Sequence, residues 1–114
     1  RQMCKETDTD YFVSQTIDIV SEWRIFVHRG NVLDLKNYSG DPWQMPDRTT
    51  VEKMVEAFTN TPKAYTLDVA VLRNGQTAVI EVHNFISCGL YGFTSPKLPL
   101  MYCDGIYFEL EQKM

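Results

Sequence analysis

The strongest constraint on the fold of this chain is an Asn-Gly dipeptide between two β-rich runs. The runs are AYTLDVAVL over residues 64–72 and TAVIEVH over residues 77–83, and both are rich in β-branched and aromatic residues. Asn74-Gly75 stands at the centre of the short segment that joins them. Because Asn-Gly suits the positive φ angles of a two-residue turn, it is a strong hairpin signal. The sequence therefore predicts an antiparallel hairpin.

Two acidic residues face each other in this predicted hairpin. If the turn has two residues, counting outward places Asp68 directly opposite Glu81, and Thr66 opposite His83. Residues directly across a ladder share a face, with Cβ atoms about 5 Å apart. Two carboxylates at this separation repel each other, so we expect Asp68→Asn to stabilise the metal-free protein. A one-residue slip of the strands would separate the pair.

Three explanations for the acidic pair are open from the sequence. A divalent cation can bridge the carboxylates, because oxygen ligands suit Mg²⁺ or Mn²⁺. An arginine can supply the opposite charge, and Arg24 is the best candidate. Alternatively, this face of the sheet is wet and both acids are solvated.

Upstream of the hairpin, alternating apolar residues predict two further strands. Residues 22–28 (EWRIFVH) alternate between two faces, and residues 31–35 return as their partner after Arg29-Gly30. His28, beside that turn, is expected to be exposed. The run over 38–47 contains two prolines and a glycine, and is predicted to be a loop.

One main helix is predicted over residues 49–59. Thr49 and Glu52 have the spacing of a capping box, and apolar residues follow at helical spacing. Towards the C-terminus, Pro99 is expected to limit a helix to a short one, and alternating apolar residues over 106–110 suggest a last strand. The pattern predicts an α+β fold, with an antiparallel sheet of about five strands and the main helix packed on one face.

The length and composition indicate one globular domain over residues 1–114, with a frayed segment over 1–10. The aromatic content of 12% and the net charge of only −4 argue against disorder. Fifteen acids against 11 bases argue against non-specific nucleic-acid binding, which needs a basic surface. No long apolar run suggests a membrane span. Three cysteines without a C-x-x-C spacing favour free thiols and a cytoplasmic location.

In their order, these motifs resemble the C-terminal half of an ATP-grasp fold. The motifs are Glu22-Trp-Arg24-Ile-Phe-Val27, a returning strand, Leu67-Asp68-Val69, and Val79-Ile-Glu81-Val-His83. In the family, an acid-x-Arg strand is followed by a strand with an Asp and then by acid-x-Asn. The resemblance covers about residues 11–95. It is closest to the divergent clade that includes a eukaryotic translation-initiation assembly factor and many small phage and bacterial proteins.

The resemblance implies an ATP-dependent carboxylate–amine ligase. Asp68 and Glu81 match the acids that hold the Mg²⁺ (or Mn²⁺) bridging the ATP phosphates. Arg24 matches the basic residue that contacts the phosphates or the acyl phosphate, so it is both a nucleotide-binding and a catalytic candidate. Glu22 matches the acid that opens that strand and is the second catalytic candidate.

Two further positions complete the site that the resemblance implies. His83 occupies the position of the family's metal-binding Asn, and Asn84 follows it, so either residue is a candidate third metal ligand. The segment Tyr11–Ser14 stands where the family places the hinge that contacts adenine.

The expected partners follow from this resemblance. They are a nucleotide and an unidentified carboxylate or amine substrate, with the N-terminal half of the fold supplied by a longer parent chain. A homodimer through an exposed sheet face is a further expectation. The alternative function is a non-catalytic α+β interaction module whose acidic face recognises a basic partner.

Overall fold

The computed structural model describes residues 18–113, which form a four-stranded sheet and two helices. The sheet is antiparallel throughout, in the order β2-β1-β3-β4. This confirms the predicted α+β class, with four strands in the described part of the chain rather than about five. The elements are β1 (Ile19–His28), β2 (Asn31–Gly40), α1 (Arg48–Ala57), β3 (Ala64–Leu72), β4 (Thr77–Asn84), a 3₁₀ turn (Phe85–Ser87) and α2 (Leu98–Gln112).

The sheet is covered by a hydrophobic core on each face. On one face, apolar residues of β1 and β3 such as Trp23 and Leu67 pack against Val51 and Val55 of α1. This is the packing that the helical apolar stripe predicts. On the other face, one end is covered by a second cluster from β1, β3, the segment after β4 and α2. Its members are Phe26, Ala64, Phe85, Phe93 and Met101.

The β3–β4 hairpin reaches the predicted acid pairing by a different route. Its turn has three residues: Leu72 N–H donates to the Gln76 carbonyl, and Gly75 adopts a φ of 92°. A two-residue turn would pair Leu72 with Thr77, whereas the structure pairs Val71 with Thr77. The register then shifts between the partners of Asp68 and Val69. A β-bulge there, with one extra residue on β4, cancels the extra turn residue, so Asp68 lies opposite Glu81 as predicted.

The C-terminal segment is one long helix, and the predicted last strand over 106–110 is wrong. Pro99 does not limit α2, because it lies in the first turn, where a backbone N–H has no intrahelical partner. Met101 and Gly105 are buried one turn apart, with Phe108 partly buried further along. This spacing is helical, and the alternation of apolar residues over 106–110 is coincidental.

The start of α1 and the end of β2 also differ from expectation. Helix α1 begins at Arg48 and ends at Ala57, close to the predicted 49–59. Its N-cap is Asp47, which accepts a hydrogen bond from the Thr50 backbone N–H, so the predicted capping box at Thr49 is wrong. Strand β2 continues to Gly40, which shortens the loop predicted over 38–47.

Helix α2 is tied to the β1–β2 turn by one carboxylate. Asp104 lies 2.8 Å from His28 Nε2 and accepts hydrogen bonds from the Arg29 guanidinium at 3.1 and 3.2 Å. His28 is buried, so the prediction that it is exposed is wrong. Hydrogen bonds from Arg29, and then from His28, hold the pKa of Asp104 below its usual value. In the part of the chain that the structure describes, no helix is long and apolar enough to cross a membrane.

Replacing Gly105 by alanine tests how closely α2 docks. A Cβ there would lie 2.5 Å from Asn84 Oδ1 and 2.8 Å from Ile86 Cγ2. We expect Gly105→Ala to lower the free energy of unfolding by about 1–2 kcal/mol, although alanine favours helices by about 1 kcal/mol. Urea unfolding measures this, with the exposed Gln112→Ala as the control in the same helix. A stabilised Gly105→Ala variant would contradict the close contact.

Removing the Asp104 carboxylate should make stability less dependent on pH. A carboxyl group with a lowered pKa stabilises the fold fully above about pH 4 and loses this contribution as the pH falls further. We expect Asp104→Asn to cost about 1–2 kcal/mol at pH 7, and the gap from wild type to narrow towards pH 3. Urea unfolding across this range measures the gap, and the more exposed Asp34→Asn is the control. A gap that stays constant with pH would contradict the interpretation.

Candidate functional site

Three of the predicted site residues lie in one row across the sheet. Strand β1 places Arg24 opposite Asp68 of β3, and Asp68 lies opposite Glu81 of β4. The next row on the same face contains Thr66 and His83. This face is opposite to the one that packs on α1, as the alternation of the strands predicts. The candidate site therefore rests on three adjacent strands.

The centre of the row is a bidentate ion pair. Arg24 Nε donates to Asp68 Oδ1 and Nη2 donates to Oδ2, both at 2.9 Å. The Asp68 side chain is 3% exposed and the Arg24 side chain 12% exposed. These hydrogen bonds raise the pKa of Arg24 above its ordinary value, although burial acts in the opposite direction. Arg24 thus supplies the charge that neutralises Asp68, which is the second of the three explanations offered by the sequence.

Two tyrosines and a backbone carbonyl enclose the rest of the guanidinium. Arg24 Nη1 donates to the Gly89 carbonyl at 2.9 Å, and the guanidinium carbon lies 5.8 and 5.1 Å from the ring centroids of Tyr38 and Tyr91. The two rings stack on each other, with centroids 5.3 Å apart. Cation–π contacts at such distances are attractive. Arg24 is therefore held on several sides.

Local backbone irregularities bring these tyrosines to the site. The β1–β2 register shifts beside Glu22, where Tyr38 is the extra residue of a β-bulge, and the Tyr38 hydroxyl donates to Glu22 Oε1 at 3.2 Å. Tyr91 has a φ of 48°, which is uncommon for a residue other than glycine. The sequence analysis missed both tyrosines, since neither a bulge nor a left-handed tyrosine has a clear sequence signal.

Glu81 and His83 form the exposed side of the site. The Glu81 side chain is 43% exposed, and its Oε1 contacts Nε2 of His83, which is 34% exposed. Ligand atoms of Asp68, Glu81 and His83 all lie within 4.8 Å of one another. Both acids are therefore partnered in the structure: Asp68 by Arg24 and Glu81 by His83. The explanation in which both acids are solvated does not hold for Asp68.

This donor set can be compared with the ligand preferences of divalent cations. Two carboxylates suit Mg²⁺ and Mn²⁺, whereas an imidazole suits Mn²⁺ or Zn²⁺ better than Mg²⁺. Each Asp68 oxygen accepts one hydrogen bond from Arg24 and has a second lone pair. Asp68, Glu81 and His83 thus fit a divalent cation, and the histidine favours Mn²⁺ over Mg²⁺.

The structure places Asn84 apart from this cluster. The register is regular from Glu81 to Asn84, so Asn84 pairs with Tyr65, one residue out of phase with His83. Its side-chain amide donates to the Gly105 carbonyl and to Glu109, both at 3.0 Å, and its oxygen accepts from the Ile86 backbone N–H. Asn84 therefore anchors α2, and the geometry does not support its predicted role as a metal ligand.

Two other predicted features complete the account of the site. Burial raises the pKa of the half-buried Cys88 thiol near Arg24, which leaves it protonated and a weak nucleophile at neutral pH. The proposed adenine-contacting segment Tyr11–Ser14 lies outside the described residues.

Comparison with known protein families identifies the class of this domain. Residues 3–98 match the model of an ATP-grasp domain, the second family of one clade of that fold. Because the match spans most of the chain, the chain belongs to this ATP-grasp family. No curated protein and no solved structure gives a significant match. The family result confirms the ATP-grasp resemblance, while the relation to the eukaryotic assembly factor stays a prediction.

The buried ion pair reverses the expected effect of Asp68→Asn on stability. Repulsion between facing acids predicted stabilisation, but loss of the Asp68 charge leaves the buried Arg24 unpaired. We expect Asp68→Asn to cost about 3 kcal/mol, and Glu81→Gln, at a half-exposed carboxylate, less than about 1 kcal/mol. Chemical denaturation measures both.

A double-mutant cycle separates the ion pair from other effects of Asp68. Arg24→Gln combined with Asp68→Asn should cost less than the sum of the single variants, with a coupling of about 1–3 kcal/mol. Additive effects, or a more stable Asp68→Asn protein, would contradict the pairing.

Proposed function

We propose that this chain is the part of an ATP-grasp carboxylate–amine ligase that binds the metal and the ATP phosphates. The observation that carries the proposal is the row of Arg24, Asp68 and Glu81 across three strands, with His83 beside it. Membership of an ATP-grasp family supplies the reaction class. In that class, ATP phosphorylates a carboxylate, and an amine or another nucleophile then displaces phosphate.

Asp68, Glu81 and His83 would hold the divalent cation. When bound, the cation would neutralise charge on the ATP phosphates. Asp68 is fixed in one orientation by its two hydrogen bonds to Arg24, which suits a residue that must present an oxygen at a constant position. Glu81 and His83 are more exposed and can adjust to the ligand.

Arg24 has two roles in this proposal. Its bonds to Asp68 and Gly89 use three of its five N–H groups, as far as residues 18–113 are concerned. One remaining N–H on each terminal nitrogen would face a phosphoryl oxygen and stabilise its charge during transfer. Glu22 would act indirectly, because it holds the hydroxyl of Tyr38, whose ring lies over the guanidinium.

Calorimetric titration with ATP tests this function, in the absence and presence of Mg²⁺ or Mn²⁺. We expect binding that requires the cation and is tighter with Mn²⁺, because His83 replaces the oxygen ligand of the family pattern. Glu81→Gln should weaken binding by about tenfold or more without unfolding the protein, since Glu81 is half exposed. His83→Asn should shift the preference towards Mg²⁺.

The control for this titration is Glu56→Gln, an exposed acid on α1 at the other face of the sheet. It should bind ATP as the wild type does. If a folded protein, in its longest natural form, binds neither cation nor nucleotide, the ligase proposal is wrong and the interaction-module alternative replaces it. Equal loss in Glu81→Gln and Glu56→Gln would also contradict the proposed site.

A further inference from the structure

The outward surface of α2 is almost free of charge. The face of the helix that packs on the protein contains the buried Met101 and Gly105, with Asp104, Phe108 and Glu109 partly buried beside them. At the exposed positions of α2, Glu111 is the single charged residue. A surface helix normally presents charged and polar residues to water. Helix α2 therefore has a second apolar face that the described part of the fold does not use.

The exposed apolar residues of α2 form a continuous stripe. Residues 103, 107 and 110 lie close together on the outward side, since positions three and four apart are neighbours on a helix. Tyr107 is 67% exposed and Leu110 is 54% exposed. We call this surface the α2 stripe; it consists of Leu100, Tyr102, Cys103, Ile106, Tyr107 and Leu110.

The size and composition of the α2 stripe are those of a protein interface. Its exposed apolar area is on the order of 500 Å², and contiguous apolar patches of this size on monomers are often functional. Interface cores are enriched in tyrosine and depleted in charge. The stripe contains two tyrosines and lies almost entirely outside the ATP-grasp match, which ends at residue 98, where α2 begins.

We propose that the α2 stripe binds the α2 stripe of a second copy of this chain, with the two helices antiparallel about a two-fold axis. A two-fold interface must be complementary to itself, and an uncharged stripe meets this requirement. The flanking charges also match: Lys97 precedes the helix and Glu111 lies in its last turn. Antiparallel packing brings Lys97 of each copy close to Glu111 of the other.

The position of Cys103 makes the proposed orientation testable. Cys103 is exposed and lies in the middle of the α2 stripe, close to the point where the two-fold axis would cross the helix. Antiparallel helices packed about 8–10 Å apart would bring the two Cys103 residues to within about 10 Å of each other. A parallel or unrelated contact would not place both thiols at the axis.

Analytical ultracentrifugation over a range of concentrations tests the association. We expect a reversible transition from the 13.2 kDa monomer to twice that mass. Tyr107→Glu should weaken the dimer by about tenfold or more and remain folded, because its side chain is largely in solvent. Met45→Glu alters an exposed apolar residue outside α2 and should leave the dimer intact.

A short bismaleimide cross-linker tests the orientation independently. Wild-type protein should give a covalent dimer, whereas Cys103→Ser should keep the ultracentrifugation transition and lose the covalent dimer. A protein that stays monomeric at high concentration would overturn the proposal. So would dissociation by Met45→Glu but not by Tyr107→Glu, or a covalent dimer that persists in Cys103→Ser. None of these outcomes depends on ATP binding.

Discussion

The interaction on which the site depends is the bidentate pair between Arg24 and Asp68 in the middle of the sheet. Asp68 lies in the buried central strand, and a carboxylate there is costly without a partner. Arg24 supplies the partner from the neighbouring strand and is itself held by a carbonyl and two tyrosine rings. The pair fixes one acid rigidly, while Glu81 and His83 stay at the exposed edge. The site thus combines one immobile carboxylate with two adjustable groups.

Much of this site is predictable from the sequence because strands impose a period of two residues. Alternation in β1 places Glu22 and Arg24 on one face, and the hairpin brings Asp68 opposite Glu81 with His83 beside it. The sequence could not decide what neutralises Asp68, since burial and distance across strands are properties of the fold. It also missed Tyr38 and Tyr91, which reach the site through a bulge and a left-handed residue.

The C-terminal segment is the part that the sequence analysis predicted wrongly. Alternation of three apolar residues resembles a strand, but a helix that is apolar on both faces also produces it. Glycine at position 105, usually unfavourable in a helix, is explained only by the close approach of Asn84 and Ile86. Burial of His28 has the same origin, because its partner Asp104 belongs to α2. Both misinterpretations therefore come from packing between residues distant in sequence.

The two compensating irregularities of the β3–β4 hairpin bear on how sequences of this kind should be aligned. The extra residue of the turn and the extra residue at the bulge cancel, so the tip can lose one residue together with the bulge and still keep Asp68 opposite Glu81. An alignment that forbids gaps between residues 73 and 80 would then displace one acid by a position and hide a shared site. Gap placement in this short segment should follow strand register, with the two acids as fixed columns.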